Sequence, residues 1–151
     1  LQQPDACHVP WYYRSKLTDQ ASQLSGNSFI LLVDVTGELA AWWGLATMAF
    51  VGGSLDGVRG GQNMLEPAAY GVAVCFGPYT RNFHTEVSEL LKAEAAIVVH
   101  DGTELTNFVT QCLNDPAYST KIGTRAQKLI EKNQGGTRLT ALRILDFLPV
   151  I

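Results

Sequence analysis

Short apolar runs alternate along this chain with longer segments of helix-forming residues, and this alternation restricts the chain to few architectures. Repeated strand–helix units predict a mostly parallel sheet. The run over residues 29–34 is continuously apolar until its final aspartate, which is typical of a strand covered on both faces. We therefore predict an α/β fold, a Rossmann-like parallel sheet with helices on both faces. The predicted strands are 8–13, 29–34, 48–52, 72–76 and 96–100, and the predicted helices are 37–46, 63–70, 82–93, 102–114, 116–132 and 137–148.

The size and charge of the chain indicate one packed domain, residues 1–151, and exclude one class of partner. Of its 151 residues, 46% are hydrophobic and 17% are charged, which is ordinary for a soluble α/β protein. The 11 basic side chains stand against 14 acidic ones, for a net charge of -3. Nucleic-acid binding requires a clustered positive face, so nucleic acid is not an expected partner.

The cysteines favour a reducing compartment. Cys7, Cys75 and Cys112 are odd in number and far apart, without a C-x-x-C pair for a metal or redox centre. We expect Cys75 to be a buried, inert thiol and expect no metal site. The chain begins without a methionine or a signal peptide, so we expect it to be part of a longer protein.

An uncharged run over residues 39–55 approaches the lower limit of roughly 17 residues for a membrane-spanning helix. Gly52, Gly53 and Ser54 interrupt this run, which divides more naturally into a helix and a buried strand. No membrane segment is therefore predicted.

A glycine-rich loop is the strongest candidate for a binding site. Five of the 14 glycines lie between Gly52 and Gly61, after a predicted buried strand and before a predicted helix at Asn63. Clustered glycines let a ligand approach the backbone, so we expect their amides to be free for a phosphate, and a helix start directs N–H groups at an anion. Arg59 could grip a phosphate through two N–H groups. The alternatives are a merely flexible connection and a solvated arginine, and the loop matches neither the dinucleotide nor the P-loop motif.

Glu66 has two interpretations. With Asn63 it forms a variant of the capping box, in which the carboxylate would satisfy a free N–H at the helix start. Alternatively it lies at the mouth of a cleft and accepts hydrogen bonds from two ribose hydroxyls. Spacing alone leaves both open.

Several strings, read in order from residue 13 to residue 148, resemble the family of 3-deoxy-D-manno-octulosonic acid (Kdo) transferases. They are Gly37-Glu38-Leu39, Phe50-Val-Gly-Gly-Ser-Leu, Arg59-Gly-Gly-Gln-Asn-Met-Leu-Glu-Pro-Ala-Ala-Tyr-Gly, Phe76-Gly-Pro-Tyr-Thr-Arg-Asn-Phe and Asn133-Gln-Gly-Gly-Thr-Arg-Leu. The resemblance implies the C-terminal, donor-binding half of a two-domain GT-B glycosyltransferase that uses CMP-Kdo and needs no metal or cofactor.

The same resemblance implies how the work is divided in the parent protein. The acceptor would be a lipid A precursor of lipopolysaccharide synthesis, met at the cytoplasmic side of the Gram-negative inner membrane. Its binding surface and the catalytic base would belong to an N-terminal half that this sequence lacks. No catalytic residue is therefore assigned here, and we expect the chain alone to transfer no sugar.

The resemblance also implies residue roles. Gly52, Gly53 and Ser54 would line the donor cleft, while the Gly60–Gly61 turn and the helix start at Asn63 would face the phosphate. Glu66 would hold the ribose, and Gly37 and Glu38 would border the cytidine. Gln62 stands where the family usually has a histidine, and glutamine cannot become cationic near neutral pH. Half of another GT-B enzyme that uses a UDP-sugar, or a non-catalytic binding module, remains an alternative.

For the other arginines and for the histidines, a structural or solvent-exposed role has to be weighed against a functional one. Arg14 and Arg81 follow predicted strands and are either surface charges or groups that reach a ligand; for Arg81 this would be the carboxylate of the donor. We expect His84 to be solvated and His100 to be structural.

Overall fold

The computed structural model describes residues 9–17, 28–133, 140 and 143–147. The chain separates into two compact units, Leu1–Leu39 and Ala40–Ile151. Half of the helix predicted over 137–148, and residues 134–139 of the last family-like string, lie outside the described residues.

The first unit contains a two-stranded parallel sheet. Strand β1 (Trp11–Tyr13) pairs with β2 (Ile30–Leu32), so that Trp11 lies opposite Ile30. Phe29 and Ile30 are 40% and 43% exposed, so the prediction that the run over 29–34 is covered on both faces is wrong for this chain. The described part of this unit has one 3-10 turn, Arg14–Lys16, and no α-helix of its own to cover a second face of this sheet.

The second unit is built on a three-stranded parallel sheet in the order β3-β4-β5. Its strands are β3 (Met48–Val51), β4 (Ala73–Phe76) and β5 (Ala96–Val98), each within two residues of its predicted bounds. Between residues 39 and 133 the α-helices are α1 (Leu39–Trp43), α2 (Leu65–Ala69), α3 (His84–Lys92), α4 (Gly102–Asn114) and α5 (Pro116–Asn133), with a 3-10 turn at Arg81–Phe83.

Helices cover both faces of this second sheet, which confirms the predicted fold class. Strand β4 is buried throughout, and its side chains alternate between two apolar clusters. Val74 and Phe76 join the cluster that includes residues of α2, α3 and α5. Ala73 and Cys75 join the cluster that includes residues of α4 and α5. A continuously apolar strand thus occupies the centre of the sheet, as in other parallel sheets.

Helix α5 approaches the start of β4 through a contact between two glycines. A Cβ atom on Gly123 would lie 1.8 Å from the carbonyl oxygen of Gly71. Only a residue without a side chain fits there, so the close packing of α5 depends on Gly123.

Within the described part of the chain, no helix combines the length and the apolar character that a membrane crossing requires.

Candidate functional site

The glycine-rich loop leaves the carboxyl end of β3 beside the loop that follows β4, because these two strands are neighbours. The loop folds back on itself: the N–H of Gly61 donates to Gly53 O at 2.8 Å, and the N–H of Gln62 donates to Gly52 O at 3.2 Å. The expectation that clustered glycines leave these amides free for a phosphate is therefore wrong for Gly61 and Gln62. Their hydrogen bonds close the loop instead.

The loop glycines also make room for neighbouring side chains. Gly53 and Gly60 have positive φ angles, 71° and 78°, which favour glycine. A Cβ on Gly60 would lie 2.6 Å from Cγ of Arg81, and one on Gly53 would lie 3.3 Å from Cβ of Arg59. The glycines thus let two arginine side chains cross the loop backbone.

Ser54 joins the two loops from the inside. Its side chain is fully buried, and its Oγ donates to Val51 O at 2.7 Å while accepting from the Gly77 N–H at 2.8 Å. The Ser54 carbonyl oxygen also accepts from the N–H of Tyr79 at 3.0 Å. The Ser54 hydroxyl therefore holds the two loops together, and a role for Ser54 in lining the donor cleft stays a prediction.

Arg81 and Asn82, in the 3-10 turn before α3, clamp the glycine-rich loop through four hydrogen bonds. Arg81 Nη2 donates to Val58 O at 2.8 Å. The Asn82 side-chain amide donates to Arg59 O at 2.9 Å and to Gly61 O at 3.4 Å, and its backbone N–H donates to Gly60 O at 3.2 Å. These bonds, which come from the connection between β4 and α3, fix the backbone of the glycine-rich loop.

The two arginines at this loop differ from the other arginines of the described residues. Arg14, Arg125 and Arg143 each form an ion pair with a carboxylate, Glu38, Glu94 and Asp146 respectively. Neither Arg59 nor Arg81 has such a partner within the described part of the chain, and both are exposed. Two positive charges without carboxylate partners beside one loop favour an anionic ligand.

Glu66 does not cap α2. The residue before this helix is Met64, whose side chain makes no capping bond. Instead the exposed Glu66 carboxylate accepts from the Asn63 side-chain amide at 3.0 Å and from Trp43 Nε1 at 3.5 Å. The Leu65 N–H donates to Asn63 Oδ1 at 3.1 Å, so one N–H expected to point at a phosphate is already bonded. The Glu66 carboxylate thus bonds the side chain of Asn63, which itself accepts from the first N–H of α2. The ribose contact of Glu66 stays a prediction.

Gly37 and Glu38 belong to the first unit. The Arg14 guanidinium donates to both carboxylate oxygens of Glu38, at 2.8 and 2.9 Å. Gly37 has φ +89°, and its Cα hydrogens face open space. In the same unit, the Ser15 hydroxyl and N–H donate to Asp34, and these bonds lower the pKa of the Asp34 carboxyl below its usual value. A role for Gly37 and Glu38 at the cytidine stays a prediction.

An open groove of about 390 Å³ lies between the glycine-rich loop and the β4–α3 connection. Its lining residues are Gly57, Gly60, Pro78, Tyr79, Thr80, Arg81 and His84. Tyr79 and Asn82 belong to one of the family-like strings but were not predicted as site residues. Their position after strand β4 could have indicated them, because side chains that follow neighbouring parallel strands meet at the same edge of the sheet.

The histidine and cysteine candidates outside the loop make contacts that are typical of structural residues. His100 forms a pair with Glu104, Nδ1 to Oε2 at 2.8 Å, and this contact lowers the pKa of Glu104. Burial raises the pKa of the Cys75 thiol to about 12, with a smaller effect of Cys112. The described residues contain no group of three or more His, Cys, Asp or Glu side chains placed to hold a metal ion.

The fold and the loop define the class of the protein: a parallel α/β domain whose candidate ligand site lies at the carboxyl ends of its strands. No family model matches the chain. It is 33% identical over 119 residues to a Kdo transferase of Bordetella pertussis and 34% identical over 128 residues to one of Rickettsia prowazekii. These alignments cover 79% and 82% of the chain, but the chain spans only 28% and 27% of the two relatives.

A solved structure agrees with these relatives. The C-terminal CMP-Kdo binding domain of WaaA from Acinetobacter baumannii is 30% identical and superposes with a TM-score of 0.70, over 81% of this chain and 61% of that one. The chain belongs to the Kdo transferase family and corresponds to its C-terminal domain.

Proposed function

We propose that this chain is the donor-binding domain of a Kdo transferase and holds the cytidine monophosphate part of CMP-Kdo. The observation that carries this proposal is the similarity, in sequence and in fold, to a domain described as binding CMP-Kdo. The glycine-rich loop supports it, since it lies at the carboxyl edge of the sheet where ligands of parallel α/β domains bind.

Within this proposal each part of the site has a role. The backbone at Gly52, Gly53, Gly60 and Gly61 forms the wall of the donor cleft, with Gln62 and the Asn63 side chain beside it. Arg59 offsets the negative charge of the phosphate, which increases as the sugar departs. Glu66 accepts hydrogen bonds from the ribose hydroxyls while Asn63 and Trp43 hold its carboxylate in place.

The full-length protein would transfer Kdo to a lipid A precursor in lipopolysaccharide synthesis, at the cytoplasmic face of the inner membrane. The base that activates the acceptor hydroxyl would come from the other half of the enzyme. On this division of labour the 151-residue chain binds the nucleotide and transfers no sugar. Kdo transfer by the purified chain would contradict it.

A chemical-shift titration of the ¹⁵N-labelled chain tests the nucleotide site. We expect CMP to shift the amide signals of residues 52–66 and to bind more tightly than UMP. Shifts confined to other parts of the chain would overturn the site, and equal affinity for UMP would overturn the assignment of the donor. Inorganic phosphate serves as the control for general anion binding.

A further inference from the structure

We propose that the groove between the glycine-rich loop and the β4–α3 connection is a subsite for the sugar acid, with Arg81 pairing with its carboxylate. This inference rests on the proposed function, because it places the sugar next to the nucleotide cleft. It adds a residue and a ligand chemistry that the similarity to the CMP-Kdo binding domain does not itself assign.

The groove has the size and the lining of a small-molecule site. Its volume of about 390 Å³ falls within the usual range of roughly 300 to 1,000 Å³. Tyr79, 51% exposed, gives it an aromatic surface, and Thr80, Arg81 and His84 give it polar groups. An apolar face with a few fixed polar groups is the usual composition of sites that bind small ligands.

Arg81 is held in this groove at a fixed place. Its Nη2 donates to Val58 O at 2.8 Å, and its side chain crosses Gly60 where a Cβ would come within 2.6 Å of Cγ. One hydrogen bond leaves other N–H donors of the guanidinium for a ligand, since arginine has five. A guanidinium anchored by the protein loses little freedom on binding, and it matches the planar shape of a carboxylate.

The charges around Arg81 leave it available for an anion. It forms no ion pair within the described part of the chain, whereas the arginines at positions 14, 125 and 143 do. The nearby carboxylate in the loop, Asp56, accepts from the Val58 N–H at 3.0 Å. Asp56 therefore supports the loop turn at Val58, the same residue whose carbonyl anchors Arg81.

The position of the groove fits the chemistry of the donor. Gly60 borders the groove and also belongs to the loop proposed to face the phosphate. Arg59 directly precedes Gly60 in the chain, and the side chain of Arg81 packs against Gly60. A ligand that carries a phosphate and a carboxylate on one sugar could therefore contact both arginines. Two arginines that have no carboxylate partner among the described residues then correspond to the two negative groups of a CMP-linked sugar acid.

The test uses the chain saturated with CMP and compares free Kdo with its methyl ester, which lacks the charge. We expect Kdo to shift the amide signals of Tyr79, Thr80 and Arg81, and the ester to bind about tenfold more weakly or worse. Arg81→Gln, compared with the wild type at saturating CMP, should remove this preference for Kdo over its ester. Arg125→Gln, at an arginine paired with Glu94, is the matched control and should behave like the wild type.

The outcomes separate this inference from the proposed function. If the wild type fails to bind CMP, the proposed function falls. If it binds CMP but Kdo and its ester bind equally, or Kdo shifts other amides, only the carboxylate subsite falls. Inorganic phosphate that binds the groove more tightly than Kdo would also overturn it. Arg81→Lys keeps the positive charge and should retain most of the preference for Kdo over its ester. If Arg81→Lys loses that preference and also alters the amide signal of Val58, the role of Arg81 is purely structural.

Discussion

Gly77 lies so close to Ser54 that a Cβ atom on Gly77 would stand 2.2 Å from the Ser54 carbonyl oxygen. The N–H of Gly77 also donates to Ser54 Oγ at 2.8 Å. The two loops that build the candidate site are therefore joined at a point where no side chain fits.

Replacing Gly77 with alanine should separate these loops. The added methyl group meets backbone atoms, which cannot rotate away, so we expect a loss of about 1 to 3 kcal/mol or more in the free energy of unfolding. Urea denaturation measures this loss. Gly102→Ala is the matched control, because a Cβ on Gly102 meets nothing within 4 Å. Equal stability of the two variants would contradict the close contact.

Asn82→Ala should weaken CMP binding without removing a contact to the nucleotide. The variant loses the side-chain bonds to Arg59 O and Gly61 O, so the loop becomes more mobile. We expect a loss of about 1 to 2 kcal/mol in binding, measured by calorimetry, and faster hydrogen exchange in residues 59–61. Asn107→Ala, on the exposed side of α4, is the control. Unchanged CMP affinity despite faster exchange would show that loop order is irrelevant to binding.

Glu66→Ala distinguishes a ligand contact from a structural one. Because Glu66 is exposed and its reported bonds go to the side chains of Asn63 and Trp43, we expect the free energy of unfolding to change by less than about 0.5 kcal/mol. CMP binding should weaken by about 1 to 3 kcal/mol if the carboxylate bonds the ribose. A second titration uses 2′,3′-dideoxy-CMP, which lacks both ribose hydroxyls. The variant and the wild type should bind this ligand equally. A clear difference with that ligand would refute the ribose contact.

Cys75 should resist alkylation at pH 8. Its pKa is raised from 9.0 to about 12, so the neutral thiol predominates in the folded chain and the nucleophilic thiolate is scarce. Because the folded pKa lies above the unfolded value, this thiol contributes stability that is fully present below pH 9 and lost as the pH rises towards 12. Mass spectrometry after iodoacetamide treatment should find Cys75 labelled only in urea. Rapid labelling of the native chain would contradict its burial.

The central sheet and its helices were predictable because each depends on local patterns. The bounds of α4 match the prediction, and the Asp101 side chain caps it by accepting from Thr103 and Glu104 N–H groups. Strand β4 is apolar at every position and is buried at every position. The run over 29–34 has a similar pattern but belongs to a two-stranded sheet, and no local pattern reveals how many layers will cover a strand.

The place of the candidate site was predictable, but its internal bonding was not. Clustered glycines after an apolar strand mark a loop at the sheet edge wherever the sheet is parallel. The bonds that occupy the Gly61 and Gln62 amides depend on how the loop folds back. The clamp from Arg81 and Asn82 spans more than 20 residues and exists because β3 and β4 are neighbours. Spacing along the chain does not encode such contacts.

The clamp has a consequence for the thermodynamics of recognition. Five glycines within ten residues would give the unfolded loop large conformational entropy. The bonds from Arg81 and Asn82 remove that entropy when the chain folds, so a ligand meets a backbone already in one arrangement. Association should then be fast and require no slow rearrangement, and the heat capacity change should reflect contact with the ligand instead of coupled folding.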